Sequence, residues 1–262
     1  AQENNSASES SSLQSKNGFN ILPEKGDIAI GITMPVFDYL GNFLNSNNQL
    51  SSSNFLTNSQ VPYNQLYAKY FLTNTSAVRI NLGFNGTNVF DKQYVQDDAG
   101  IFADPLSNKV LEDMKNDISS EFVIGAGYEM RRGSSRVQGF YGGNAFLMIG
   151  NSRSEYSYAN SFSDLNPNPS SYDFGNNIIS SNERMLIDYS GQTIGVGVGG
   201  FVGVECFIFP KMSLGAELGY NYMHMKTGQS RYHYESWNGD AVENNIKVNV
   251  PNTSSNVWGF AN

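Results

Sequence analysis

The sequence predicts an all-β protein: an eight-stranded antiparallel up-and-down transmembrane β-barrel with short periplasmic turns and long extracellular loops. Three observations predict it. Apolar residues recur with period two, the signature of strands rather than helices. Short and long connections alternate, as in outer-membrane barrels. The face opposite the apolar one carries charges and glycines, which suit a crowded lumen.

The elements follow in order. In "DIAIGITMPVF", Ile28, Ile30, Ile32, Met34 and Val36 share a face. Leu66, Ala68, Tyr70 and Leu72 do so next, then Val78, Ile80, Leu82 and Phe84, then Phe122, Ile124, Ala126, Tyr128 and Met130. Val137, Gly139, Tyr141, Ala145, Leu147 and Ile149 form a fifth set. Ile194, Val196, Val198, Val202, Val204 and Ile208 form a sixth, and Leu214, Ala216, Leu218, Tyr220 and Tyr222 a seventh. "NVWGFAN" at residues 256–262 predicts a short eighth strand. Tight turns are expected at 73–76, 131–136 and 209–212, and long loops at 42–63, 86–118, 151–190 and 226–255. Tyr70, Tyr128, Tyr220 and Tyr222 fall near strand ends, where aromatic girdles meet the membrane interfaces. Alternation alone does not say which face is inside, so a soluble β-sandwich stays open beside the barrel.

Composition narrows the function. Lys and Arg number 16 against 24 Asp and Glu, a net charge of -8 that argues against a nucleic-acid partner. The single cysteine, Cys206, permits no internal disulfide and lies on an apolar face, where a thiol is a poor nucleophile. Residues 1–26 read as a flexible periplasmic tail and 27–262 as the barrel; the Ala-Gln start fits a mature chain whose signal has been removed.

The run "GQTIGVGVGGFVGVECFIF" has the look of a phosphate-cradling loop, with Gly195, Gly197, Gly199, Gly200 and Gly203. A dinucleotide fingerprint needs a strand, a turn and then a helix. Here the alternation continues to Pro210, so the glycines read as inner-face positions that leave room for large neighbours such as Arg79 or Phe146. No cofactor is implied.

The candidate site is a lumen charge network of Lys69, Arg79, Glu121, Glu129, Arg131, Glu205 and Glu217, with Gln138 and Asn144 on the same face. A charged pore and a plug of paired charges both fit, and the interior of an eight-stranded barrel is just filled by side chains, which favours the plug. Tyr156, Tyr158, Arg231, Tyr234 and Trp237 lie in aromatic loop segments. They read either as a partner-binding surface or as a self-packed hairpin extending the barrel above the membrane. His224 and His233, with Glu235 and Asp240 nearby, match no metal-binding spacing. No G-x-S-x-G occurs and neither histidine is framed as a base, so no catalytic residue is assigned and the chain reads as non-enzymatic.

"GYEMRRGSSRVQGFYGG" (127–143) and "LYAKYFLTNTSAVRINLGF" (66–84) resemble the small outer-membrane β-barrel proteins of Bacteroidota. The shape is similar to the OmpX and OmpA eight-stranded membrane domains. The resemblance implies a bacterial outer-membrane location, contact with outer-membrane lipid and lipopolysaccharide, and a structural or accessory role in a larger outer-membrane complex for barrel assembly, secretion or nutrient uptake. Surface adhesion, ligand binding, a narrow channel and a barrel enzyme acting on lipid or peptide are the alternatives.

Overall fold

The computed structural model describes residues 13–33 and 65–261. Met34, Val36 and the loop expected at 42–63 lie outside them. The protein is all-β, with a large antiparallel sheet of twelve strands. The strands are β1 (Ile28–Thr33), β2 (Gln65–Thr73), β3 (Ser76–Gln96), β4 (Val110–Arg132), β5 (Val137–Ser157), β6 (Ile178–Ser180), β7 (Glu183–Tyr189), β8 (Thr193–Phe209), β9 (Met212–Thr227), β10 (Arg231–Trp237), β11 (Val242–Val248) and β12 (Thr253–Ala261). Among the described residues a short helix, α1 (Asp98–Ala103), caps the β3–β4 hairpin.

The sheet branches at β5. Near the tight turns β5 pairs with β8 from Val137 to Gly150; above, it pairs with β7 from Arg153 to Glu155. The lower run is β1-β2-β3-β4-β5-β8-β9-β12, and the upper branch continues β7-β10-β11. The expected tight turns are present between β2 and β3, β4 and β5, and β8 and β9. In the last of these, Lys211 takes a positive φ of 59°.

Much of the sequence expected as long loops is strand. β3 and β4 stay paired without a break from Ser76↔Met130 to Gln96↔Val110, and β5 runs on to Ser157. β6 and β7 lie within 151–190, and β10 and β11 within 226–255. The final strand begins at Thr253 rather than Asn256 and pairs with β9 along its whole length. The physical reason is the loss of one-sided burial. From Phe84 to Lys92 every residue of β3 is exposed, so hydrogen-bonded strand continues there without apolar alternation.

Along the lower run the alternation is one-sided, and its sense is now visible. The apolar face points outward: Ile30 is 82% exposed, Val198 58% and Leu214 68%. The polar face is buried, with Lys69, Arg79, Glu129, Arg131, Gln138 and Glu205 all enclosed. A water-soluble sandwich has the opposite polarity. The sheet also curls strongly. β4, β5 and β8 separate β3 from β9, yet Arg79 Nη1 and Glu217 Oε2 are 2.6 Å apart across the concave face.

Residues 13–27 lie across the turn end. The Lys211 N–H donates to the Ile21 carbonyl, Gly26 N–H to that of Phe71, and Lys25 N–H to Asn74 Oδ1. Lys211 Nζ pairs with Asp27 at 2.8 Å, and this neighbouring ammonium holds the Asp27 carboxyl below its ordinary value. Ile21 and Pro23 are buried. No described helix is long and apolar enough to cross a membrane, which says nothing about crossing by strands.

Candidate functional site

The concave face is layered. Nearest the turns, β2, β3, β8 and β9 each send one charge inward and β4 sends two, Glu129 and Arg131, at spacing two. Glu129, 0% exposed, lies at the centre. Lys69 Nζ is 2.8 Å from Glu129 Oε2, Arg131 Nη1 is 3.1 Å from Oε1, and Arg79 Nη1 is 3.7 Å from Oε2. Arg79 reaches on to Glu217 at 2.6 Å and Arg131 to Glu205 at 2.5 Å. Three cations therefore face three carboxylates, and the cluster is neutral as a unit. Buried charges persist only when paired and hydrogen-bonded in this way.

Neighbouring groups complete it. Arg131 Nε donates to Gln138 Oε1 at 3.0 Å, and the Gln138 amide donates to the Gly133 carbonyl. Ser213 Oγ donates to Glu205 Oε1. The cations also lie against rings: Lys69 over Phe140 at 4.9 Å, Arg79 over Phe201 at 4.5 Å, and Arg131 against Phe71 and Phe207 at 5.5 Å each. Such contacts are worth most when desolvated. Glu121, the seventh residue of the expected network, stands apart near the middle of β4 and its Oε1 has no hydrogen-bond partner among the described residues.

Above the charges, Asn81 and Asn144 point inward, and Asn221 Oδ1 and Asn144 Oδ1 converge on Gly199. Next comes an apolar cluster of Val123, Phe146, Met148, Met223 and Met225, joined by Val257 of β12. The glycine-rich run is the middle of one continuous strand, β8. At Gly197 the ring of Phe146 fills the space a side chain would need; at Gly203 it is the ring of Phe140. Of the two neighbours expected to use this room, Phe146 does so, whereas Arg79 rests on Phe201. Cys206 is exposed on the outer face.

The upper sheet has its own organising centre, which the sequence reading did not find. Arg184 on β7 binds Glu235 Oε1 at 2.6 Å, Ser171 Oγ at 2.5 Å and the Asn160 carbonyl at 2.7 Å, between the rings of Tyr158 and Phe162. Asp113, fully buried, accepts the N–H groups of Ala159 and Tyr172 at 2.8 Å each. Asn160 donates to the carbonyls of Gln96 and Ser170 and accepts from the Asp98 N–H. The irregular segment 158–177 is thus held by buried polar side chains that satisfy its backbone.

The aromatic residues singled out in the sequence are placed as follows. Tyr158 donates to the Met185 carbonyl at 2.6 Å, and burial pushes its phenol well above the ordinary range. Tyr156 stacks on Tyr158 at 6.5 Å and approaches Phe174. Arg231 lies over Tyr189 at 5.2 Å, Tyr234 packs on Tyr232, and the Trp237 N–H donates to Asn182. These residues are therefore engaged within the upper sheet. His224 Nδ1 is 2.9 Å from Asn256 Oδ1, and His233 sits beside Tyr189. No group of three or more His, Cys, Asp or Glu gathers as a metal site among the described residues.

Comparison with protein-family models, with curated proteins and with solved structures finds no match to this chain.

Proposed function

We propose that the lower run closes, β1 to β12, into an eight-stranded barrel of a bacterial outer membrane. In this reading the lumen is plugged by the Glu129 network and the Phe146–Met223 cluster. The protein is non-enzymatic and works through its surfaces, as a docking subunit of a larger outer-membrane assembly. The inverted polarity of the lower run carries the reading. Burying one Val, Leu or Ile is worth about 1.5–3 kcal/mol. Ten such side chains left in water would forgo roughly 15–30 kcal/mol, more than the 5–15 kcal/mol net stability of a typical domain. Lipid removes that cost.

Two further features support it. Apart from β1, with six described residues, the strands of the lower run reach the length of about 9–11 residues that suffices to cross a membrane, and they have the short-turn pattern of a membrane barrel. The 21 residues of β3, 23 of β4 and 21 of β5 exceed that length, so their upper halves stand clear of the bilayer as a platform. The resemblance of 66–84 and 127–143 to small outer-membrane barrels agrees with this arrangement.

The test has three arms. The protein is purified from native membranes in mild detergent with stoichiometric partners identified by mass spectrometry, and the isolated chain is inserted in planar bilayers. Expected are a detergent requirement, a co-purifying partner complex and a silent bilayer. Full solubility without detergent overturns the membrane reading, step conductance overturns the plug, and a lone monomer overturns the docking role.

A further inference from the structure

The upper sheet ends at β11. It pairs with β10 on one side, and no described strand lies on the other. The hydrogen bonds Asn238 N–H to Ala241 O and Asn249 N–H to Ser230 O set the phase of the β10–β11 ladder. In that phase Glu243, Asn245 and Lys247 exchange backbone bonds with β10. The N–H and C=O groups of Val242, Asn244, Ile246 and Val248 point away from it. Val242, Ile246 and Val248 are 40%, 65% and 56% exposed.

An open edge of this kind is a template for another strand, and charges on it ordinarily discourage pairing. The sequence Val-Glu-Asn-Asn-Ile-Lys-Val is different because it complements its own reverse. Turned antiparallel about Asn245, it sets Val242 opposite Val248, Glu243 opposite Lys247, and Asn244 opposite Ile246. The outward backbone groups of one copy then meet those of the other. Glu243 and Lys247 fall on the non-hydrogen-bonded positions, where side chains approach most closely. Neither forms an ion pair within the chain among the described residues; Glu243 only accepts from the Asn238 amide, at 2.7 Å.

We infer that β11 is a homotypic docking edge whose partner is β11 of a second copy, paired antiparallel about Asn245. The strand directions add a consequence. β5 rises from the turn end, and the antiparallel pairings through β7 and β10 make β11 descend. Antiparallel β11 pairing therefore opposes the turn ends of the two copies. On the membrane reading above, from which this last step follows, the contact joins copies carried on facing membranes. Seven residues a side make a small, weak contact, which arrays of copies on two surfaces strengthen by multivalency.

The experiment uses the full chain with Cys206→Ser as background. In detergent, Asn245→Cys meets its own counterpart on the two-fold axis and is expected to form a disulfide-linked dimer. Lys247→Cys, displaced from the axis, is the register control and is expected to remain monomeric. Equal cross-linking of both, or of neither, overturns the pairing, and this arm does not depend on a membrane. In proteoliposomes, Glu243→Lys and Lys247→Glu are each expected to reduce vesicle clustering by about tenfold, since like charges then face each other. Mixing vesicles carrying one variant with vesicles carrying the other restores opposite charges at both positions and is expected to restore clustering. Failure of the mixture to cluster overturns the membrane-to-membrane contact. Failure of the chain to enter vesicles at all instead counts against the barrel reading.

Discussion

Arg79 on β3 and Glu217 on β9 are joined at 2.6 Å although three strands lie between them in the hydrogen-bonded order. No flat sheet permits that contact. It measures the curl of the lower run, and it ties β3 and β9 to the one carboxylate, Glu129, that also receives Lys69 and Arg131.

Glu129→Gln leaves three buried cations facing two carboxylates. Removing one partner of a buried ion network costs about 3–5 kcal/mol. We expect a fall of that size in unfolding free energy, measured by urea titration of the reconstituted protein, with Glu129→Asp less damaging. A change within 0.5 kcal/mol for Glu129→Gln would mean that Glu129 is not the hub.

Two glycines of β8 should respond differently to the same substitution. A methyl at Gly197 meets the Phe146 ring and the Tyr222 carbonyl, which have little freedom to withdraw. A methyl at Gly195 meets the Sδ of Met223 most closely and then the Cγ of Met225, atoms of flexible side chains that readily re-pack. Gly197→Ala should cost about 1–3 kcal/mol as overpacking, and Gly195→Ala less than about 1 kcal/mol. Equal costs by thermal denaturation would contradict the packing described for this face.

Arg184→Met should loosen the upper sheet and leave the lower run intact. The substitution strands Glu235 and releases the Asn160 carbonyl. Hydrogen exchange should accelerate across 158–177 while β8 and β9 keep their protection, because local openings follow local contacts. Uniform acceleration would show the two levels to be one cooperative unit.

The upper sheet should also loosen in acid. Burial alone would raise the Asp98 carboxyl, but hydrogen bonds from Ser170 and Asn166 outweigh it and hold the group below the ordinary value of 3.8. A depressed carboxylate contributes stability that is present above its unfolded pKa and lost as pH falls through the folded one. Exchange at the Ser170 N–H, a donor to Asp98 Oδ2 at 2.8 Å, should therefore rise below about pH 4 after correction for intrinsic rates. Asp98→Asn should remove most of that pH dependence, and an unchanged profile would exclude Asp98 as its source.

The lower run was legible in the sequence because one of its faces is apolar throughout. Ile80, Ile124, Leu147, Val198 and Leu218 all point the same way, and the tight turns follow from where the alternation breaks. What alternation does not carry is the sense of the sheet, outward or inward, which burial of Glu129 and exposure of Ile30 decide. The upper strands were not legible because residues 84–92 of β3 are exposed on both sides, so no periodicity marks them. The Arg184 centre was hidden for another reason. Its partners Asn160, Ser171 and Glu235 come from separate segments with no shared spacing, and only the fold brings them to one guanidinium.

The contact between Asp27 and Lys211 bears on the order in which the molecule is made. Three ladders of the lower run, β2–β3, β4–β5 and β8–β9, join strands separated by only two to four residues, and such hairpins form at small entropic cost. Asp27 and its partner are 184 residues apart. The strap across the turn end therefore cannot fasten until the β8–β9 turn exists, so residues 13–27, made early, are among the last to find their place.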